Sequence, residues 1–234
     1  MGKLLVVGSV ALDTVKTPFG EVTEVLGGSA TYFSTAASYF TSLELIAVFL
    51  GNIDPNLQLD VLQQVKRPAL VACDTMNFWI NGKRDALWNV LQHIDILIIN
   101  DGEARALGED TNLVKVAKKI LARGPKHLIV KRGEYGVLMF NDKQVFGAPA
   151  FPLDDVRDPT GAGDTFAGGF LGYLAATGNR SPEAMRQAII FGSVMASFTV
   201  EAFSLDRLRI LDYKEIEARF KEFKRLTHFE DIEA

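Results

Sequence analysis

The 234-residue chain sets 25 Lys and Arg against 29 Asp and Glu, a net charge of -4, with 48% hydrophobic and 23% charged residues. That balance suits one large α/β domain or two small ones, and with no basic stripe it argues against a nucleic-acid partner. No run approaches the roughly 18 apolar residues of a membrane span; no leader pattern opens the chain; one cysteine, Cys73, excludes an internal disulfide and points to the cytoplasm.

Lys3–Gly8 reads as a short strand ending in a glycine turn, and Val22–Leu26 as a second, followed by Gly27 and Gly28. Ser29–Phe40, rich in Ala, Ser and aromatic residues, reads as a closely packed helix. Leu45–Leu50 is a strand, Pro55 opens a helix that runs to Gln64, and Ala69–Cys73 is a strand with Cys73 as a small core residue. A helix over Asp85–Gln92 precedes a strand over Asp95–Ile99. Glu103–Leu107 and Leu113–Arg123 are helical, closed by Gly124 and Pro125. His127–Lys131 is a strand, and Gly136–Phe140 and Gln144–Phe146 flank Asn141-Asp142-Lys143 as a hairpin. Three long helices follow: Ala162–Ala176, Pro182–Val200 and Tyr213–Lys224. This alternation predicts a mostly parallel sheet covered on both faces. Ligands bind such sheets beyond the carboxyl ends of the strands. His93, His127 and His228 show no metal-ligand spacing, which argues against zinc.

The most informative stretch is Asp158-Pro159-Thr160-Gly161-Ala162-Gly163-Asp164-Thr165-Phe166-Ala167-Gly168-Gly169. Gly161 and Gly163 strip side chains from a turn that opens a helix. The free N–H groups and partial positive charge of that helix end suit a phosphate. A carboxylate beside a bound anion is costly unless it has a task, and the task that fits Asp164 is taking the proton of an attacking hydroxyl. The plainer alternative makes Asp164 a first-turn residue favoured by the helix dipole. No Walker-type loop and no Gly-x-Gly-x-x-Gly dinucleotide fingerprint is present.

This segment closely resembles the second signature of the ribokinase-like (PfkB) carbohydrate kinases. The resemblance implies a three-layer α/β/α domain spanning 1–234 with a mostly parallel central sheet. It implies Asp164 as the catalytic base and the backbone of Gly161, Ala162 and Gly163 as an anion hole, with Gly168 and Gly169 allowing close helix packing. Asn100 and Glu103 match the family's Asn-x-x-Glu motif, which organises hydrated Mg²⁺; Mg²⁺ keeps several waters and needs few carboxylates. The same pattern is also a common helix start. Lys131, Gly133 and Gly136 resemble the family's turn near the nucleotide, and with Asn100 and Thr160 they are implied in ATP binding. Asp74 and Asn77 match a polar segment near the phosphates. Asp13 resembles the aspartate that takes substrate hydroxyls, for which an acceptor-only carboxylate is suited. Gly27, Gly28 and Ser29 resemble the first signature, where the substrate lies against backbone. Asp158 either holds its loop or helps to organise a monovalent cation such as K⁺. The helix Pro182–Val200, with Gly192 and Ser193, falls where relatives wall the adenine, although such a stripe is more often plain core.

One part of the pattern is missing. After Ser29–Phe40 relatives carry several tens of residues, including a small β lid, where this chain has only a gap near 41–45. Either the block is deleted or two stretches are joined across it; lids are mobile, which favours the second reading. The implied activity is ATP-dependent phosphorylation of a hydroxyl on a small sugar, with a nucleoside as the alternative substrate. A non-catalytic nucleotide or metabolite binder is the reading if the lid is truly deleted. The implied partners are substrate and ATP, no nucleic acid, no membrane, and a homodimer through the lid where one is present.

Overall fold

The computed structural model describes residues 4–40 and 47–232. Strand β1 (Leu4–Val7) is followed by a hairpin, β2 (Ala11–Thr17) and β3 (Gly20–Gly27), which forms a separate two-stranded antiparallel sheet. The chain then alternates: α1 (Ser29–Ala37), β4 (Ala47–Leu50), α2 (Pro55–Gln64), β5 (Leu70–Cys73), α3 (Asn77–Gly82), α4 (Arg84–Leu91), β6 (Ile96–Asn100), α5 (Asp101–Gly108), α6 (Leu113–Leu121) and β7 (His127–Lys131). A hairpin of β8 (Val137–Phe140) and β9 (Val145–Ala148) precedes four helices: α7 (Ala162–Thr177), α8 (Pro182–Thr199), α9 (Asp206–Ile210) and α10 (Tyr213–Thr227). The main sheet has seven strands in the order β1-β4-β5-β6-β7-β8-β9. Its first five pair in parallel, and β8 and β9 add antiparallel.

The residues account for this arrangement. All of β4 and β5 is buried, as is β6 up to Ile99, and uninterrupted apolar runs are what strands covered on both faces require. Helices α1, α7 and α8 cover one face, where Phe33 stacks on Phe49 at 4.4 Å beside Phe170 and Leu171. Helices α2 to α6 cover the other, with Ile80, Leu87, Val116 and Ile120 against Val48, Leu50 and Leu97. Asp54 caps α2 ahead of Pro55, and Ser181 caps α8 ahead of Pro182, so both prolines occupy helix starts, where their missing N–H is harmless. Gly168 and Gly169 let α7 thread between α1 and α8. A Cβ on Gly168 would lie 2.4 Å from the Phe33 carbonyl oxygen, and one on Gly169 2.8 Å from Met195 Cγ.

The sequence reading placed β3 but not β2. In β2, Ala11, Asp13, Val15 and Thr17 face inward and Leu12, Thr14 and Lys16 face solvent, so polar residues on both faces hide the strand's period. The short helices α3 and α9 also went unread. The gap expected near 41–45, and the start of the strand expected over Leu45–Leu50, lie outside the described residues. Among the described residues no helix is long and apolar enough to cross a membrane.

Candidate active site

The carboxyl ends of the parallel strands open onto a cavity of about 290 Å³. At one end the loop after β1 is locked to the start of α1: Ser9 N–H donates to Ser29 Oγ at 3.1 Å, and Ser29 N–H to Ser9 Oγ at 3.2 Å. Gly28 precedes α1 with φ 95°, a left-handed conformation that favours glycine. Asp13 enters the cavity from β2. It can do so because β3 carries glycine opposite: a Cβ on Gly27 would lie 1.8 Å from Asp13 Oδ2.

At the other end, α7 begins on Gly161 with φ 75° and no side chain caps it. The Ala162 N–H turns back to the Pro159 carbonyl and the Thr165 N–H to that of Gly161. Among the described residues, no acceptor takes the N–H groups of Gly163 and Asp164, which leaves two donors at a helix end suited to an anion. The turn is tightly seated. A Cβ on Gly161 would strike the Tyr32 ring at 2.5 Å, and one on Gly163 would lie 2.6 Å from Lys131 Nζ. Asp158, almost fully buried, holds the approach to this turn, accepting from Thr160 N–H at 2.9 Å and from Ser204 N–H at 3.4 Å. Both its oxygens are thus engaged by backbone, which favours the loop-holding reading.

Between the two ends stand three carboxylates and one ammonium. Asp74, buried at the end of β5, accepts from Thr75 N–H at 2.7 Å and lies 3.5 Å from Lys131 Nζ. Asn100 and Glu103 form a reciprocal capping box at the start of α5, each side chain accepting from the other's N–H at 2.8 Å. Asp164 completes the set. Burial and then the Asp74 charge push Asp164 up to about 7, against the pull of Lys131. Burial and Asp74 likewise push Glu103 up to about 7, and burial raises Asp74 itself. Burial would lower Lys131, but Asp74, Asp164 and Glu103 together hold it above the usual lysine value. The cavity therefore carries an excess of negative charge that a divalent cation would relieve. No group of three His, Cys, Asp or Glu among the described residues could cage a metal directly. Mg²⁺ retains waters and takes phosphate oxygens, and the Asn100 and Glu103 side chains at the cavity wall could help to hold it.

Most residues singled out in the sequence meet here. Asp13, Gly28, Asn100, Glu103, Lys131, Thr160, Gly161, Gly163 and Asp164 all line the cavity, as do Ser29 and Asp74. Gly27 and Ala162 do not line it, although their chain neighbours Gly28, Gly161 and Gly163 do. Gly133 and Gly136 do not line it; they shape the turn beyond β7, where Gly136 has φ 83° and its Cβ would lie 2.1 Å from the Ala148 carbonyl oxygen. Asn77 is exposed as the first residue of α3 and is also outside the lining. Gly192 packs against the Phe166 carbonyl oxygen, which is helix–helix contact. Sequence reasoning passed over Tyr32 and Asn52. Asn52 lies just past the end of β4, so the rule that ligands gather beyond strand ends could have found it.

Comparison with known proteins gives a consistent picture. The model of the pfkB family carbohydrate kinases matches residues 30–207. A cytidine kinase from Thermococcus kodakarensis is 33% identical over 129 residues, covering 53% of this chain and 46% of that protein. The matches span between 24% and 57% of the curated relatives' own length. Among solved structures, an aminoimidazole riboside kinase from Salmonella enterica, complexed with aminoimidazole riboside and an ATP analog, superposes with a TM-score of 0.69 at 15% identity over 93% of this chain and 99% of that one. A ribokinase from Thermotoga maritima superposes with a TM-score of 0.65 at 20% identity over 94% and 100%.

Proposed function

Because the chain belongs to the pfkB family of carbohydrate kinases, with a ribokinase-like fold, we propose that it transfers the γ-phosphoryl group of ATP to a hydroxyl of a small sugar or sugar-bearing substrate. The observation that carries this is Asp164 at the uncapped start of α7, in one cavity with Lys131 and Glu103 on one side and Asp13 on the other. Asp13 and the Gly28 backbone hold the acceptor. Asp164 takes the proton of its hydroxyl as the new O–P bond forms, and the bond from the γ-phosphorus to the bridging oxygen of ADP breaks. The Gly163 and Asp164 N–H groups and Lys131 stabilise the charge on the moving group. Phosphoryl transfer depends mainly on such positioning and electrostatics. Mg²⁺, when bound, supplies further neutralisation of the phosphates. A base with a pKa of about 7 is matched to proton transfer near neutral pH.

A cytidine kinase, a riboside kinase and a ribokinase act on compounds that share a ribosyl group, and this is the acceptor class proposed here. An intact Asp164 weighs against a pure binder, which has no use for a base at that point. The test is ADP release with ribose, cytidine and adenosine. Asp164→Asn is expected to lower turnover about 10²–10⁴-fold, the usual share of general-base catalysis, with ATP binding little changed. A variant with near-normal turnover would remove Asp164 from the mechanism. ATP binding without acceptor-dependent ADP release would establish the binder instead.

A further inference from the structure

Asn52 stands at the substrate end of the cavity, because the preceding Gly51 packs onto the loop after β1. A Cβ on Gly51 would lie 3.0 Å from Ser29 Oγ and 3.3 Å from Gly8 Cα. The Asn52 carboxamide is oriented from behind. Trp79 Nε1 lies 3.0 Å from one of its amide atoms; an indole N–H only donates, so that atom is the oxygen. The amide nitrogen is thereby directed to the Met76 sulfur, 3.1 Å away, which is a weak acceptor. Asn52 and Met76 both line the cavity. Met76 is 38% exposed; Phe78, edge-on to Trp79 at 4.7 Å, lies outside the lining. On the indole itself, Lys83 lies 5.8 Å from the ring centroid and pairs with Asp54.

We propose that Asn52 and Met76 form a shelf for a planar heteroaromatic group carried by the phosphoryl acceptor, so that the substrate is a nucleoside rather than a free sugar. The inference rests on the phosphotransfer reading above. A base offers a ring nitrogen or carbonyl in its own plane, a far better acceptor for the Asn52 amide than a thioether. It also offers a flat apolar face, which a thioether contacts favourably. A free sugar would satisfy Asp13 and leave Met76 in water. Asn52 is then a specificity-determining residue, and Trp79, which acts through it, a positioning residue.

The experiment measures calorimetric binding of cytidine, adenosine and ribose without ATP, and ADP release with each, in the wild type, Asn52→Ala and Met76→Ala. The expected result is that one of the nucleosides binds at least tenfold more tightly than ribose, and that each substitution lowers this preference about five- to tenfold, the share of one hydrogen bond or one apolar contact. Three outcomes overturn the shelf: no binding of either nucleoside, ribose bound as tightly as both, or a preference that both variants keep. ADP release with ribose alone also overturns it while leaving the kinase reading in place. Nucleoside binding that both variants weaken, with no ADP release from any acceptor, supports the shelf and overturns the kinase reading.

Discussion

At Asp164, burial, Asp74 and Glu103 all oppose the carboxylate charge, and Lys131 alone favours it. A raised folded-state pKa has a definite consequence for stability. Between the ordinary carboxylate value of about 4 and about 7, the folded protein holds a proton that the unfolded chain has lost, so stability falls as pH climbs through that window. Asp164→Asn removes the burden. Its Tm is expected to exceed that of the wild type at pH 8, and the difference to shrink towards zero by pH 4, as thermal melts across that range will show. A variant less stable at pH 8 would mean that Lys131 outweighs burial and the two neighbouring carboxylates. That Asp164, the Gly161–Gly163 turn, Asp13 and the Asn100–Glu103 pair belong together was legible in the sequence, because each is a short stretch whose residue types do local work, and all of them meet at one cavity. Asn52 and Tyr32 were not. Each acts through partners distant in sequence, Trp79 for the first and the Gly161 turn for the second, and nothing local marks them.

Among the elements, α7 does the most to place the site, and its position is set by missing side chains. Two effects compete at Gly168. Alanine would gain up to about 1 kcal/mol in helix propensity, but its Cβ would lie 2.4 Å from the Phe33 carbonyl oxygen. Backbone cannot yield as a side chain can, and overpacking costs roughly 1–3 kcal/mol, so the clash wins. Gly168→Ala is expected to be destabilising and to displace the start of α7, lowering turnover as well. Gly82, with nothing within 4 Å of its Cβ position, is the control: Gly82→Ala is expected to be neutral or stabilising by up to about 1 kcal/mol. Denaturant melts of the two variants distinguish propensity from packing. Long or fully apolar elements such as β6, β7, α7 and α8 were legible, since their periodicity matches their burial. The strand β2 and the short helices α3 and α9 owe their form to tertiary contacts, which a single-sequence pattern does not carry.

Across the whole molecule, the sheet gathers contributions from five strand ends into one cavity whose charge is incomplete by itself. Three carboxylates face Lys131, so ATP, itself an anion, gains from arriving with a cation. With Mg²⁺ present, ATP at about 100 times its Kd is expected to add about 2.7 kcal/mol, or roughly 5–10 °C in Tm for a chain of this size. With a chelator in place of Mg²⁺ the rise is expected to be markedly smaller; an equal rise would remove the metal from the site.

The single cysteine lies in the same region. Cys73 is fully buried at the end of β5, its Sγ donates to the Asp74 carbonyl at 3.1 Å, and burial followed by the Asp74 charge pushes its thiol far above the normal range. The thiolate is the form that attacks an alkylating reagent, so this sulfur reacts only when the middle of the sheet opens. One residue away from a carboxylate of the cavity, it works as a built-in stopwatch. The half-time of iodoacetamide labelling reads how often the centre of the fold comes apart, and lengthening of that half-time by an added compound reveals a ligand of the cavity before any turnover is known.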